Sequence, residues 1–88
     1  MTTETAAVVN TLGIHARPAA QIVRCAARFG SNITLTVDRE TINAKSIMGV
    51  MTLAACRGSL IEIRADGEDE AEAAKAIADL ILNGFGEE

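Results

Sequence analysis

The chain has 88 residues, a length expected to form one domain over 1–88 with a modest core that needs no staples. Hydrophobic residues make up 49% of it, with two Phe and no Tyr or Trp, so the core is aliphatic and no aromatic platform exists for stacking bases. The net charge of −4 argues against nucleic acid or an anionic membrane as the main partner.

Cys25 and Cys56 stand among apolar neighbours without a CxxC spacing, which reads as two small buried thiols in a reducing compartment. One His and two distant Cys make no metal site, and no cofactor motif is present. There is no secretory signal pattern and no apolar run long enough to span a bilayer, so the expected location is the cytoplasm and membrane insertion is not expected.

In chain order, residues 3–9 read as a strand rich in Thr and Val, and 10–13 as a turn. From Pro18 to Phe29 the period is helical, with Ala19, Ile22, Val23 and Ala26 forming an apolar stripe and Gly30 expected as the closing glycine. Residues 33–37 alternate cleanly as a strand, and Asp38-Arg39 turns the chain into a short partner over 40–44. Ser46 is expected to cap a short helix that runs to about Leu53. Arg57-Gly58 is a turn, 60–65 alternates again, and Asp66-Gly67 turns the chain once more. The last helix is expected over 69–83, with Ala73, Ala76, Ile77, Leu80 and Ile81 buried and an acidic first turn that suits the helix dipole. Gly84 ends it, and 85–88 reads as a tail. The order βαββαβα predicts an α+β open-faced sandwich: a four-stranded antiparallel sheet with three helices packed on one face.

Two motifs carry chemistry. The only histidine lies in Gly13-Ile14-His15-Ala16-Arg17-Pro18-Ala19-Ala20. Proline fits the first helical turn, so His15 falls at or just before a helix start, with Arg17 close behind. Helix-terminal N–H groups and the dipole favour an anion there, and an imidazole in that setting is placed to receive a phosphoryl group. Taken alone, a His near a helix start is more often a surface residue without chemistry.

The second motif is Lys45-Ser46-Ile47-Met48-Gly49-Val50-Met51. Ile47, Met48 and Met51 share one surface of the short helix, while Val50 and Leu53 fall nearer the other. Either all are core, or the first set is a spare apolar surface for a partner. Ser46 reads equally as a cap and as a phosphorylation site whose charge a helix N-terminus would tolerate. Arg17, Arg24, Arg28, Arg39 and Lys45 crowd the first half, and Asp66, Glu68, Asp69, Glu70 and Glu72 the second. This pattern fits either a basic docking face or scattered solvated charges.

With both motifs in hand, the whole chain resembles the HPr family, the histidine-containing phosphocarriers of the bacterial phosphoenolpyruvate-dependent sugar phosphotransferase system. The resemblance implies that His15 accepts a phosphoryl group on a ring nitrogen from phosphorylated enzyme I and passes it to IIA domains of sugar permeases. It implies that Arg17 stabilises the group, and that Ser46 is the target of an HPr kinase/phosphorylase. Ala20, Arg24, Ile47, Met48 and Met51 would form the docking surface. Phospho-Ser46 would weaken docking with enzyme I, and in some bacteria it is read by a catabolite-control transcription factor. Such a protein is a carrier between enzymes and not itself an enzyme, and is expected to be a monomer. The alternative is a regulatory protein that acts mainly through phospho-Ser46 in an organism with an incomplete transport system.

Overall fold

The computed structural model describes residues 1–53 and 55–86. Its elements are β1 (Thr2–Ala7), α1 (Ala16–Ala27), β2 (Asn32–Val37), β3 (Glu40–Asn43), α2 (Ile47–Thr52), β4 (Leu60–Asp66), α3 (Glu70–Leu82) and a terminal 3₁₀ turn (Gly84–Gly86). The four strands form an antiparallel sheet in the order β1-β4-β2-β3. β4, last in the chain among the strands, lies between β1 and β2.

Period-two alternation decides which side the helices cover. Ile33, Leu35 and Val37 of β2 and Ile61, Ile63 and Ala65 of β4 point into the core with Ala6 of β1. The intervening residues make a polar face. Across it, Thr5 pairs with Glu62 and Glu62 with Thr36, while Arg64 lies between Thr3 and Thr34. Glu62 and Arg64 form an exposed ion pair at 2.8 Å. α3 packs across β1, β4 and β2, and α1 packs against both α2 and α3. This is the open-faced sandwich expected from the order of elements.

Several local expectations are corrected. α1 begins two residues before the proline and stops at Ala27, with Arg28 in helical conformation as its cap. Gly30 is not among the residues with positive φ, so it is not a left-handed closing glycine. The end of α1 is instead held by Lys45, whose Nζ donates to the Phe29 carbonyl at 2.7 Å, a cation placed at a helix C-terminus. Asp69 leaves its own helix uncapped and reaches back across the chain. Its carboxylate accepts from the Gly30 and Ser31 N–H groups and from the Ser31 hydroxyl, and these bonds hold its pKa below the usual carboxylate value.

The buried stripe of α3 is Ala73, Ala74, Ile77, Ala78 and Ile81, with Ala76 and Leu80 only half-buried. Alanine on that face brings the helix close to the sheet. Phe85 is no part of a loose tail: it is 5% exposed, with its carbonyl accepting from Gln21 Nε2 at 3.3 Å. The glycines on either side of it carry positive φ, as does Phe85 itself, which turns the chain back under α3. Cys25 is half-buried, where burial pushes its thiol pKa up. Cys56 is exposed, its backbone N–H donating to Ser59 Oγ at 3.1 Å. The expectation of two buried thiols fails for Cys56 because it follows Ala55, the residue that faces the core.

Candidate functional site

Three short segments carry the site: the loop between β1 and α1, the first turn of α1, and α2. His15 is the N-cap of α1, in extended conformation (φ −100°, ψ −168°), and its carbonyl accepts from the Ala19 N–H at 3.0 Å. Its side chain is not used for capping. A helix leaves its first N–H groups without intrahelical partners, and here these include Ala16 and Arg17. Pro18, third in the helix, has no N–H to satisfy, and its ring is buried. The imidazole is half-exposed, and Ala16 and Arg17 beside it are exposed.

The loop ahead of His15 is fixed at both ends. Val8 exchanges backbone bonds with the 58–59 segment, donating to Ser59 O and accepting from Gly58 N, both at 2.9 Å. Ile14 N–H donates to Ala55 O at 2.9 Å, and its side chain is buried. Gly13 takes φ +68°, and a Cβ there would stand 2.5 Å from Ala55 O. Only glycine meets both demands.

Ser46 caps α2 as the sequence led one to expect: its Oγ accepts from Gly49 N–H at 3.1 Å. The ambiguity over α2's apolar residues is settled by burial. Val50 and Leu53 are core, whereas Ile47, Met48 and Met51 are 40%, 73% and 46% exposed. A short helix cannot bury both sides against α1 and the sheet, so one apolar side is left to solvent. α2 packs on α1, the helix that carries Ala20, which is half-buried, and Arg24, which is exposed.

A further exposed apolar side chain, outside the set expected from the sequence to dock a partner, is that of Leu12. It is 72% exposed on the loop three residues before His15. The signal was an apolar residue in an otherwise polar turn. Lys45 moves the other way. It belongs to the basic first half of the sequence, but its ammonium is tied to the end of α1.

An open groove of about 500 Å³ runs between α1 and α3, lined by Arg24, Cys25, Arg28, Leu80 and neighbours but not by His15. Among the described residues, no helix is long and apolar enough to cross a membrane.

Known proteins share this sequence and this fold. Residues 2–83 match the family model described as the PTS HPr component phosphorylation site. The chain is 51% identical to phosphocarrier protein HPr of Treponema pallidum over the full length of both. It is 49% identical to that of Xylella fastidiosa, covering 92% of this chain and 91% of the relative. A crystal structure of HPr from Thermoanaerobacter tengcongensis superposes with a TM-score of 0.94 at 46% identity, covering 100% of this chain and 99% of the other. Solved relatives also include a dimer of the Thermoanaerobacter protein (TM-score 0.78, 46% identical, covering 99% of this chain and 100% of the other). Another is the swapped dimer of Crh, a Bacillus subtilis catabolite repression protein (TM-score 0.76, 41% identical, covering 94% and 95%). A match over nearly the whole chain, in sequence and in fold, assigns the protein to the HPr family, the phosphocarriers of the phosphotransferase system.

Proposed function

We propose that His15 is the residue on which this carrier holds its phosphoryl group, taken from phosphorylated enzyme I and given to IIA proteins of sugar permeases. The supporting observation is the half-exposed imidazole at the N-cap of α1, the helix on which α2 packs while leaving Ile47, Met48 and Met51 exposed. In the receiving step a ring nitrogen of His15 forms a bond to phosphorus as the P–N bond of the donor's phosphohistidine breaks; the His15 ring gives up a proton to solvent and the donor imidazole takes one up. Arg17 and the first N–H groups of α1 stabilise the charge without a deep pocket, so the group remains easy to pass on. Ala20, Arg24, Ile47, Met48 and Met51 form the docking surface, and Ser46 is the regulatory phosphorylation site, modified by an HPr kinase/phosphorylase. The chain works as one monomeric domain in the cytoplasm, a setting consistent with its two free cysteines.

The test is intact mass after incubation with phosphoenolpyruvate, Mg²⁺ and enzyme I. A single acid-labile phosphoryl adduct, absent in His15→Ala, is expected. An adduct that persists in that variant overturns the assignment.

A second reading has one observation behind it, the likeness to Crh. In it the chain acts mainly through phospho-Ser46, read by a catabolite-control transcription factor. No adduct with enzyme I from the same organism, while an HPr kinase still modifies Ser46, would favour that reading. Sedimentation equilibrium distinguishes the monomer from the dimeric forms of the relatives.

A further inference from the structure

The loop that delivers His15 contains an oddity. Asn10 is 1% exposed, one of two buried polar side chains among the described residues. Burying an amide is costly unless it is bonded, so its placement needs a reason. Its Nδ2 donates to Gly13 O at 2.7 Å, while Gly13 N–H donates to Asn10 O at 3.2 Å. The turn 10–13 is thus closed twice, once by backbone and once by the amide. From Gly13 only Ile14 intervenes before His15, and Ile14 is fastened to Ala55. Behind Asn10 stands the far end of the chain: a Cβ on Gly84 would lie 3.8 Å from Asn10 Cβ and 3.4 Å from Val9 Cγ2. Asn10 thus lies between the turn its amide bonds across and the segment that follows α3.

We propose that Asn10 is a positioning residue for phosphoryl transfer, holding the Gly13 carbonyl so that His15 meets the helix N-terminus in its extended, receptive conformation. The proposal rests on His15 being the phosphoryl acceptor. Asn10 touches no phosphate and acts through the 13–15 backbone. A displaced acceptor loses rate steeply, because transfer needs the reacting atoms aligned within a fraction of an ångström. The docking surface on α2 is untouched by the change, so donor affinity should hold.

The test uses Asn10→Leu, close in size but with no donor to offer Gly13 O, and Asn10→Ala where the Leu variant does not fold. Ile77→Val, a core change away from the loop, is the stability control. Single-turnover transfer from phosphorylated enzyme I is followed at a temperature where every variant is folded. The maximal rate is expected to fall roughly tenfold to a hundredfold in the Asn10 variants with an unchanged half-saturating donor concentration, and to stay unchanged in Ile77→Val. In the unaltered protein, Asn10 side-chain amide protons should exchange far more slowly than a free amide and shift on phosphorylation. A wild-type maximal rate in a folded Asn10 variant, or free-amide exchange in the native protein, overturns the positioning role alone. Label persisting in His15→Ala overturns the acceptor assignment and the positioning role with it.

Discussion

Replacing Gly13 with Ala isolates the tightest backbone contact in the site. The residue sits at φ +68°, where a Cβ costs about 1–2 kcal/mol. That Cβ would also lie 2.5 Å from Ala55 O and 2.8 Å from Cys56 Cα, both backbone atoms that cannot rotate away. Forcing an atom into such a contact adds about 1–3 kcal/mol of overpacking. The sum, roughly 2–5 kcal/mol, is a large share of the 5–15 kcal/mol typical of a folded domain. Gly58 is the internal control, because it has φ +93° but no heavy atom within 4 Å of its built Cβ. Gly58→Ala should therefore carry only the conformational part, about 1–2 kcal/mol. The assay is urea unfolding of both variants beside the parent, with a thermal scan in which each kcal/mol lowers Tm by about 4–8 °C. Equal losses for the two variants would show that the contact with Ala55 is not a constraint, and the account of this loop would fail.

Ser46→Ala removes the side-chain N-cap of α2 and should cost about 0.5–2 kcal/mol in urea unfolding. Ser46→Asp should keep most of that stability while slowing phosphorylation by enzyme I, more so at low salt, and a salt-independent rate would remove the electrostatic explanation. Met48, 73% exposed, should be replaceable by Ala with a stability change within about ±0.5 kcal/mol, yet the half-saturating concentration of enzyme I should rise; an unchanged value excludes Met48 from the docking surface. Glu70 accepts from the N-terminal ammonium at 2.9 Å, from Thr2 Oγ1 at 2.7 Å and from Gly67 N–H at 3.3 Å, and these partners pull its pKa from 4.5 to about 2. A depressed carboxylate stabilises the fold above its unfolded pKa and loses that contribution as pH falls through its folded one. Urea midpoints should therefore drop between about pH 4.5 and 2, and Glu70→Gln, with Met1 retained, should flatten that limb.

The alternation in 33–37 and 60–65 and the helical period after Pro18 were enough to order the elements, because sheet and helix periods are local properties of the chain. So was the setting of His15, since proline and the loop before it fix where a helix can begin. The cap at Ser46 was legible for the same reason: its partner is three residues away. Long-range contacts were not. Nothing local says that Lys45 closes α1, that Asp69 reaches back to Ser31, or that Gln21 holds Phe85. Each joins residues from 16 to 64 positions apart. The sequence could say that α2 has two apolar sides, but only the packing of α2 on α1 decided that Val50 is core and Met48 is surface. Period fixes which residues share a face. The neighbour that arrives from elsewhere in the chain fixes which face is covered, and that choice left Met48 and Met51 exposed and buried Asn10 in the loop before His15.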